Sequence, residues 1–401
     1  MITVHSQFKT IQIAFYFTAV DEKATRVYRF LLPKVLGSHT RSLPTRTRFI
    51  EKLETLYGAQ LSLRTELHAN LSVMSFVFSF VQPTFVHDET LLRDVVSLIN
   101  DIFIKREHFN QDIFNEEKRF LMEEWETVKE QKDSYASLRF SELFHKNSLA
   151  GYPLAGQLKD IKKLTNDQLW DYFQTTFSKE NVQIIVNGDL AENQLEQLKE
   201  LKIKANDTPL TLTYHLNHNQ TEEVIDEFLP MNQAIIKMGY QLPIVRTDPL
   251  YEAALIVDTI VGGYPESRLF KIIREEEGLS YYISSTYNYY RGTLIISSGV
   301  QLEKRQEAVT KIKALVKALK TKGITEIELE YAKSFLLHQM KSSFDSQSIL
   351  TKRAFLHYLF PDLPAFDHRL ERIRKVTLEE VNQALKQLKL KTVYVLHGDE
   401  S

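Results

Sequence analysis

The chain has 401 residues, with 50 Lys and Arg against 52 Asp and Glu, 43% hydrophobic residues and no cysteine. A net charge of −2 with both signs interspersed argues against a nucleic-acid footprint, which draws on clustered basic side chains. The lack of Cys excludes a disulfide framework, thiolate zinc and iron–sulfur ligation, and a Cys nucleophile.

The length predicts roughly two to three domains, each able to bury its own core. The first apolar run, TIQIAFYFTAV at 10–20, is too short to span a bilayer and has only Lys9 ahead of it, so a soluble, cytoplasmic chain without membrane contact is expected. Within it Ile11, Ile13, Phe15 and Phe17 alternate with Thr10, Gln12, Ala14 and Tyr16, the period of a strand with one face on a core. A helix is expected from Ala24 to about Leu36, another at 45–58, and strands at 59–65 and 71–81. Helices follow at 91–103 and 114–131, then a short helix introduced by Thr165 and a strand, VQIIVNGD, at 182–189.

The second half repeats this order. A strand at 234–242 leads to helices at 250–261 and 265–278, strands at 279–287 and 292–300, and helices at 305–319 and 326–344. A short helix introduced by Thr377 and a strand ending in Gly-Asp, TVYVLHGD at 392–399, close the chain as their counterparts close the first half. Repetition at this scale points to a duplicated α+β domain: residues 1–200, a linker at 201–223 rich in Asn, Thr and charge, and residues 224–401.

No H-E-x-x-H, Walker loop, G-x-S-x-G or helix-opening G-x-G-x-x-G is present. His215 and His218 form an H-x-x-H pair, but in a segment without helical periodicity, where solvated linker histidines are the simpler reading. Glu116, Glu117, Glu123, Glu124 and Glu126 crowd one helix, as on a solvated face, and one carboxylate makes no zinc site. PESRLFKIIREEEGLSYY at 265–282 is more specific. Pro265 suits a first helical turn, Gly278 a left-handed C-terminal cap, and Tyr281 follows Arg274 by seven residues across that cap. Arg274 and Tyr281 could aim two donors into one space; equally, Arg274 could pair with a neighbouring Glu while Tyr281 packs in the sheet.

The doubled architecture, with GGYPESRLFKIIREEEGLSYYISS at 262–285, LTNDQLWDYFQTTFSKENVQIIVNGD at 164–189 and GYPLAG at 151–156, resembles the pitrilysin/insulinase family of inverted-motif zinc peptidases. The resemblance implies two tandem domains of the mitochondrial-processing-peptidase/LuxS-like metallohydrolase type, each a mostly antiparallel sheet with helices packed on one face. In the family's catalytic subunits H-x-x-E-H on a first-half helix supplies two zinc ligands and the water-activating Glu. The resemblance sets Arg29, Leu32 and Pro33 at those positions, Glu124 at the distal zinc-binding Glu, Glu117 at the carboxylate seven residues before it, and Ser62 at the Asn beside the metal. With the two imidazoles and the general base replaced, no zinc or other cofactor is expected in this chain. Arg274 and Tyr281 match the family's substrate-holding pair. The implied function is that of a zinc-less, non-catalytic subunit of a heterodimeric peptidase, paired with a zinc-bearing homologue and holding a peptide substrate. A non-proteolytic scaffold of the same fold, or a self-sufficient metallopeptidase with an altered site, is the alternative.

Overall fold

The computed structural model describes residues 1–104, 108–146, 148–216 and 222–399. Five strands of the first repeat, β1 (Ile2–Val4), β2 (Thr10–Val20), β3 (Gln60–His68), β4 (Leu71–Val81) and β5 (Asn181–Asn187), form a sheet in the order β1-β5-β2-β4-β3. The second repeat supplies β6 (Glu223–Phe228), β7 (Gln233–Gln241), β8 (Ser280–Asn288), β9 (Thr293–Gln301) and β10 (Lys389–His397) in the matching order β6-β10-β7-β9-β8. Each sheet is antiparallel except where its first strand pairs in parallel with its last.

Alternation sets the inner faces. Ile11, Ile13, Phe15 and Phe17 of β2 and Met74, Phe76, Phe78 and Phe80 of β4 pack against the helices Arg26–Leu36 and Leu91–Phe103. Ala234, Ile236, Met238 and Tyr240 of β7 do the same in the second sheet against Tyr251–Asp258, Arg305–Lys322 and Leu378–Gln387. Thr165 and Thr377 each cap their helix with a capping box, as their place ahead of Gln168 and Glu380 predicts.

The compact units are discontinuous in sequence. One comprises Met1–Thr127, Pro153–Leu212 and Ser343–Leu363; the other Val128–Tyr152, Thr213–Ser342 and Pro364–Ser401. Each therefore takes one helix from the other half of the chain, and that helix covers the sheet's second face.

In the second unit the helix Lys132–Phe144 lays Tyr135, Ala136, Phe140 and Phe144 on Ile235, Tyr394 and Leu396. Gly239 makes room for it, since a Cβ there would stand 2.5 Å from the Phe144 ring. In the first unit the helix Gln347–Leu359 is held largely by polar bonds. Gln347 Nε2 donates to the carbonyls of Thr10 (2.7 Å) and Asn187 (3.0 Å), Thr351 Oγ1 to Gln12 (2.7 Å), and Asn187 Nδ2 to Thr351 (2.9 Å). Phe355 stacks on Tyr16 at 4.0 Å. Neither helix, nor the strands β1 and β6, was expected from local pattern.

At the end of this seam Lys352 Nζ lies 2.6 Å from Glu66 Oε2, and His68 Nε2 lies 3.5 Å from the same oxygen. The His68 hydrogen bond and the Lys352 charge hold the Glu66 carboxyl down to about 2 against its partial burial. A carboxyl depressed in the folded state stabilises above its unfolded pKa and loses that contribution as pH falls through the folded one. The stability gap between wild type and Glu66→Gln, followed by thermal unfolding, should be full above about pH 4.5 and close toward about pH 2. A gap that stays constant over that window would show that the Glu66 charge contributes nothing.

Candidate functional site

The helix Arg26–Leu36 packs against Gln111–Thr127, and its rotation decides which side chains reach that acidic helix. Arg29 is fully buried and turned into the unit. Its guanidinium donates to Ser72 Oγ (2.8 Å), the carbonyls of Ser72 (2.8 Å) and Phe17 (3.0 Å), and Tyr172 Oη (3.3 Å), and it pairs with Glu180. Burial works against that charge, but Glu180 and Tyr172 outweigh it and hold the guanidinium above its ordinary pKa. Leu32 lies in the core, and Pro33 accepts Gly37 N–H at 2.9 Å.

The side chains that reach the acidic helix are instead Lys34 and Ser38, with Phe30 beside Lys34. Lys34 Nζ lies 3.6 Å from Glu124 Oε2 and 5.0 Å from the Phe30 ring centroid, and Ser38 Oγ donates to Glu117 Oε1 at 2.6 Å. Arg46 also pairs with Glu117. Lys34 thus reaches Glu124, while the expected Arg29 and Leu32 are turned inward. A helix turns about 100° per residue, so a one-residue slip exchanges the core face for the open one. The inward phase of Leu31, Leu32, Val35 and Leu36 was the available signal.

Ser62, the expected counterpart of the family's Asn, lies on β3. Leu61 and Leu63 of β3 face Gly37 of this helix end, and alternation turns Ser62 to the other side of the sheet. The donor set does not fit zinc: a phenyl ring and an ammonium stand where two imidazoles are needed, and Glu117 is taken up by Ser38 and Arg46. Among the described residues no three His, Asp or Glu side chains are grouped as a metal site. His215 is exposed, and His218 lies outside the described residues.

The second unit holds the stretch 262–285. After the helix Tyr251–Asp258 the backbone widens into π-type turns at Thr259–Gly263 and again at Leu269–Glu276, with Pro265 in the turn between them and ahead of the helix it was expected to open. Gly262 passes so close to the edge strand β8 that a Cβ would lie 2.6 Å from Ser285 N. Ser285 Oγ donates to Asp258 Oδ1 at 2.6 Å, and burial pushes that carboxyl up. These contacts give the glycine and its neighbours a structural reason to be there.

Gly278 adopts φ +59°, as expected of a left-handed cap, and Leu279 N–H returns to Ile273 O at 2.9 Å. Arg274 is exposed, with its guanidinium 4.5 Å from the Phe270 ring centroid. Tyr281 sits where the β8–β9 register shifts between Ser280 and Tyr282, and it is 55% exposed. Among the described residues neither makes a hydrogen bond or ion pair, so Arg274 is not consumed by a neighbouring Glu and Tyr281 is not packed in the sheet.

Duplicated five-stranded α+β units define the fold of the inverted-motif zinc peptidases, and the helix Arg26–Leu36 carries no His or Glu. The chain is similar to the inactive homologues of the pitrilysin/insulinase (M16) peptidases. A family model described as "Peptidase M16 inactive domain" matches residues 163–336. The chain is 27% identical over 404 residues to the "Probable inactive metalloprotease YmfF" of Bacillus subtilis, spanning 98% of this chain and 94% of that protein. A conserved protein from Enterococcus faecalis superposes with TM-score 0.90 at 24% identity, over 100% of this chain and 96% of the other. The structure described as peptidase M16 inactive domain from Pseudomonas fluorescens gives 0.80 at 18% identity, over 100% and 96%. Among the described residues no helix is long and apolar enough to cross a membrane.

Restoring ligands tests the helix register. Phe30→His with Lys34→His, beside native Glu124, should bind about one zinc per chain, read by metal analysis after dialysis. Arg29→His with Pro33→His should bind none and should lose about 3–5 kcal/mol of stability, because Glu180 is left buried without its partner. Zinc in the second variant but not the first would restore the expected register.

Proposed function

We propose that this chain is the zinc-less subunit of a two-component peptidase, pairing with a zinc-bearing homologue and lending it one half of a substrate chamber. The observation that carries the reading is the contrast between the two units. The metal face is filled by Phe30 and Lys34, while Arg274 and Tyr281 remain exposed and free of hydrogen-bonded partners among the described residues. A guanidinium steadied by Phe270 and a phenol lifted out of the sheet by a bulge are both donors, able to hold peptide carbonyl oxygens over a metal supplied in trans.

A non-proteolytic scaffold would have no use for an unpaired Arg and Tyr at this spacing, and a self-sufficient peptidase would need ligands that Phe30, Pro33 and Lys34 cannot provide. The chain is expected to be inert alone, with peptide hydrolysis appearing on mixing with the cognate H-x-x-E-H homologue. Arg274→Ala and Tyr281→Phe should each lower kcat/KM of the mixture by about five- to 150-fold, the worth of one hydrogen bond of roughly 1–3 kcal/mol in the transition state. Zinc content and complex formation should not change. Wild-type turnover in both variants would remove the substrate role, and no gain on mixing would favour the scaffold.

A further inference from the structure

Outside the pair discussed above, the second unit exposes an apolar stripe on the helix Glu326–Ser342. Ile327 and Tyr331, one turn apart, are 68% and 63% exposed, more than any other large apolar side chain among the described residues. Phe335 continues the stripe one turn further, and its ring lies 5.2 Å from that of Tyr264, in the turn that opens the 264–282 stretch. Arg268 ties the two elements together through Glu328. Four apolar or aromatic side chains thus form one continuous patch.

Its rim is acidic. Glu328 is held by Arg268, and Glu330 by Lys333 at 2.8 Å. Glu266 and Glu326 are exposed and make no ion pair among the described residues. Burial and the charges of Glu266 and Glu328 push the Tyr264 phenol up, as befits a ring beside carboxylates. Ile327 to Phe335 spans about 12 Å of helix, far less than the roughly 20–30 residues a side of a stable subunit interface. A few side chains of an extended peptide would cover it.

We propose that Tyr264, Ile327, Tyr331 and Phe335 form an exosite for a short unfolded peptide carrying apolar side chains flanked by Lys or Arg. The exosite rests on the reading of this chain as a peptide-holding subunit and adds a sequence preference to it. Tyr331 and Ile327 supply the apolar contact, and Glu266 and Glu326 select the flanking charge.

The test uses the full chain alone and fluorescence anisotropy. One labelled peptide has a central Leu-Phe pair with two Lys on each side, and its twin has Glu in place of every Lys. The basic peptide should bind at least about tenfold more tightly than the twin. Ile327→Ser with Tyr331→Ser should weaken it by about tenfold or more, with the thermal midpoint unchanged because both side chains are already exposed. Glu266→Gln with Glu326→Gln should weaken only the basic peptide. Equal affinity for both peptides, undiminished binding by the Ser variant, or no binding by wild type at about millimolar peptide would each overturn the exosite. So would sedimentation showing a dimer of wild type that the Ser variant loses, since the patch would then serve self-association. Because binding is read without partner or turnover, a failed heterodimer leaves this result standing, and a failed exosite leaves the Arg274 and Tyr281 assays untouched.

Discussion

A sheet has two faces, and the central strands of both sheets here have both of them buried. β2 places Ile11, Ile13, Phe15 and Phe17 on one side and Gln12 and Tyr16 on the other, and all six side chains are nearly inaccessible. β7 and β10 likewise turn Ile236 and Val393 into one core and Ile235 and Tyr394 into another. One layer of helices cannot exclude water from both sides of a strand, so each sheet needs a second cover. That cover is a helix borrowed from the other repeat, as the hydrogen bond from Thr351 to Gln12 records. Neither repeat is a complete folding unit by itself, and contacts of such sequence separation make for slow folding.

The two borrowed helices meet different chemistry. Phe140 and Phe144 dock on an apolar surface that Gly239 lets them approach closely. Gln347 and Thr351 dock through hydrogen bonds to Thr10, Gln12 and Asn187, which satisfy backbone and amide groups that would otherwise be buried unpaired. The first interface is fixed chiefly by shape and the second by the positions of donors and acceptors.

Side chains of the neighbouring elements partner the acidic helix. Lys34 puts a cation next to Glu124, Phe30 lies beside Lys34, and Arg46 with Ser38 takes up Glu117. Glu117, the buried one of the two, is therefore paired, which removes the cost of an isolated charge there. Arg29, one residue away, belongs to a separate buried cluster with Glu180 and Tyr172 that joins helix to sheet.

The duplication, the alternating strands and the Thr-capped helices were legible because each is a local pattern: period two in β2, a capping box at Thr165 and Thr377, a left-handed glycine at Gly278. The family resemblance, too, was legible, from a stretch at 262–285 whose glycine is held by close contact with Ser285. By itself the sequence determined the order of elements in both repeats and the absence of histidine and glutamate from the metal-facing helix. The tertiary structure alone decided which helix covers which sheet, because that depends on partners far apart in the sequence, more than 300 residues for Gln347 and Thr351. It also decided that Lys34, rather than Arg29, reaches Glu124, because one residue of slip rotates a side chain by about 100° and only the packing of the neighbouring helix fixes the phase.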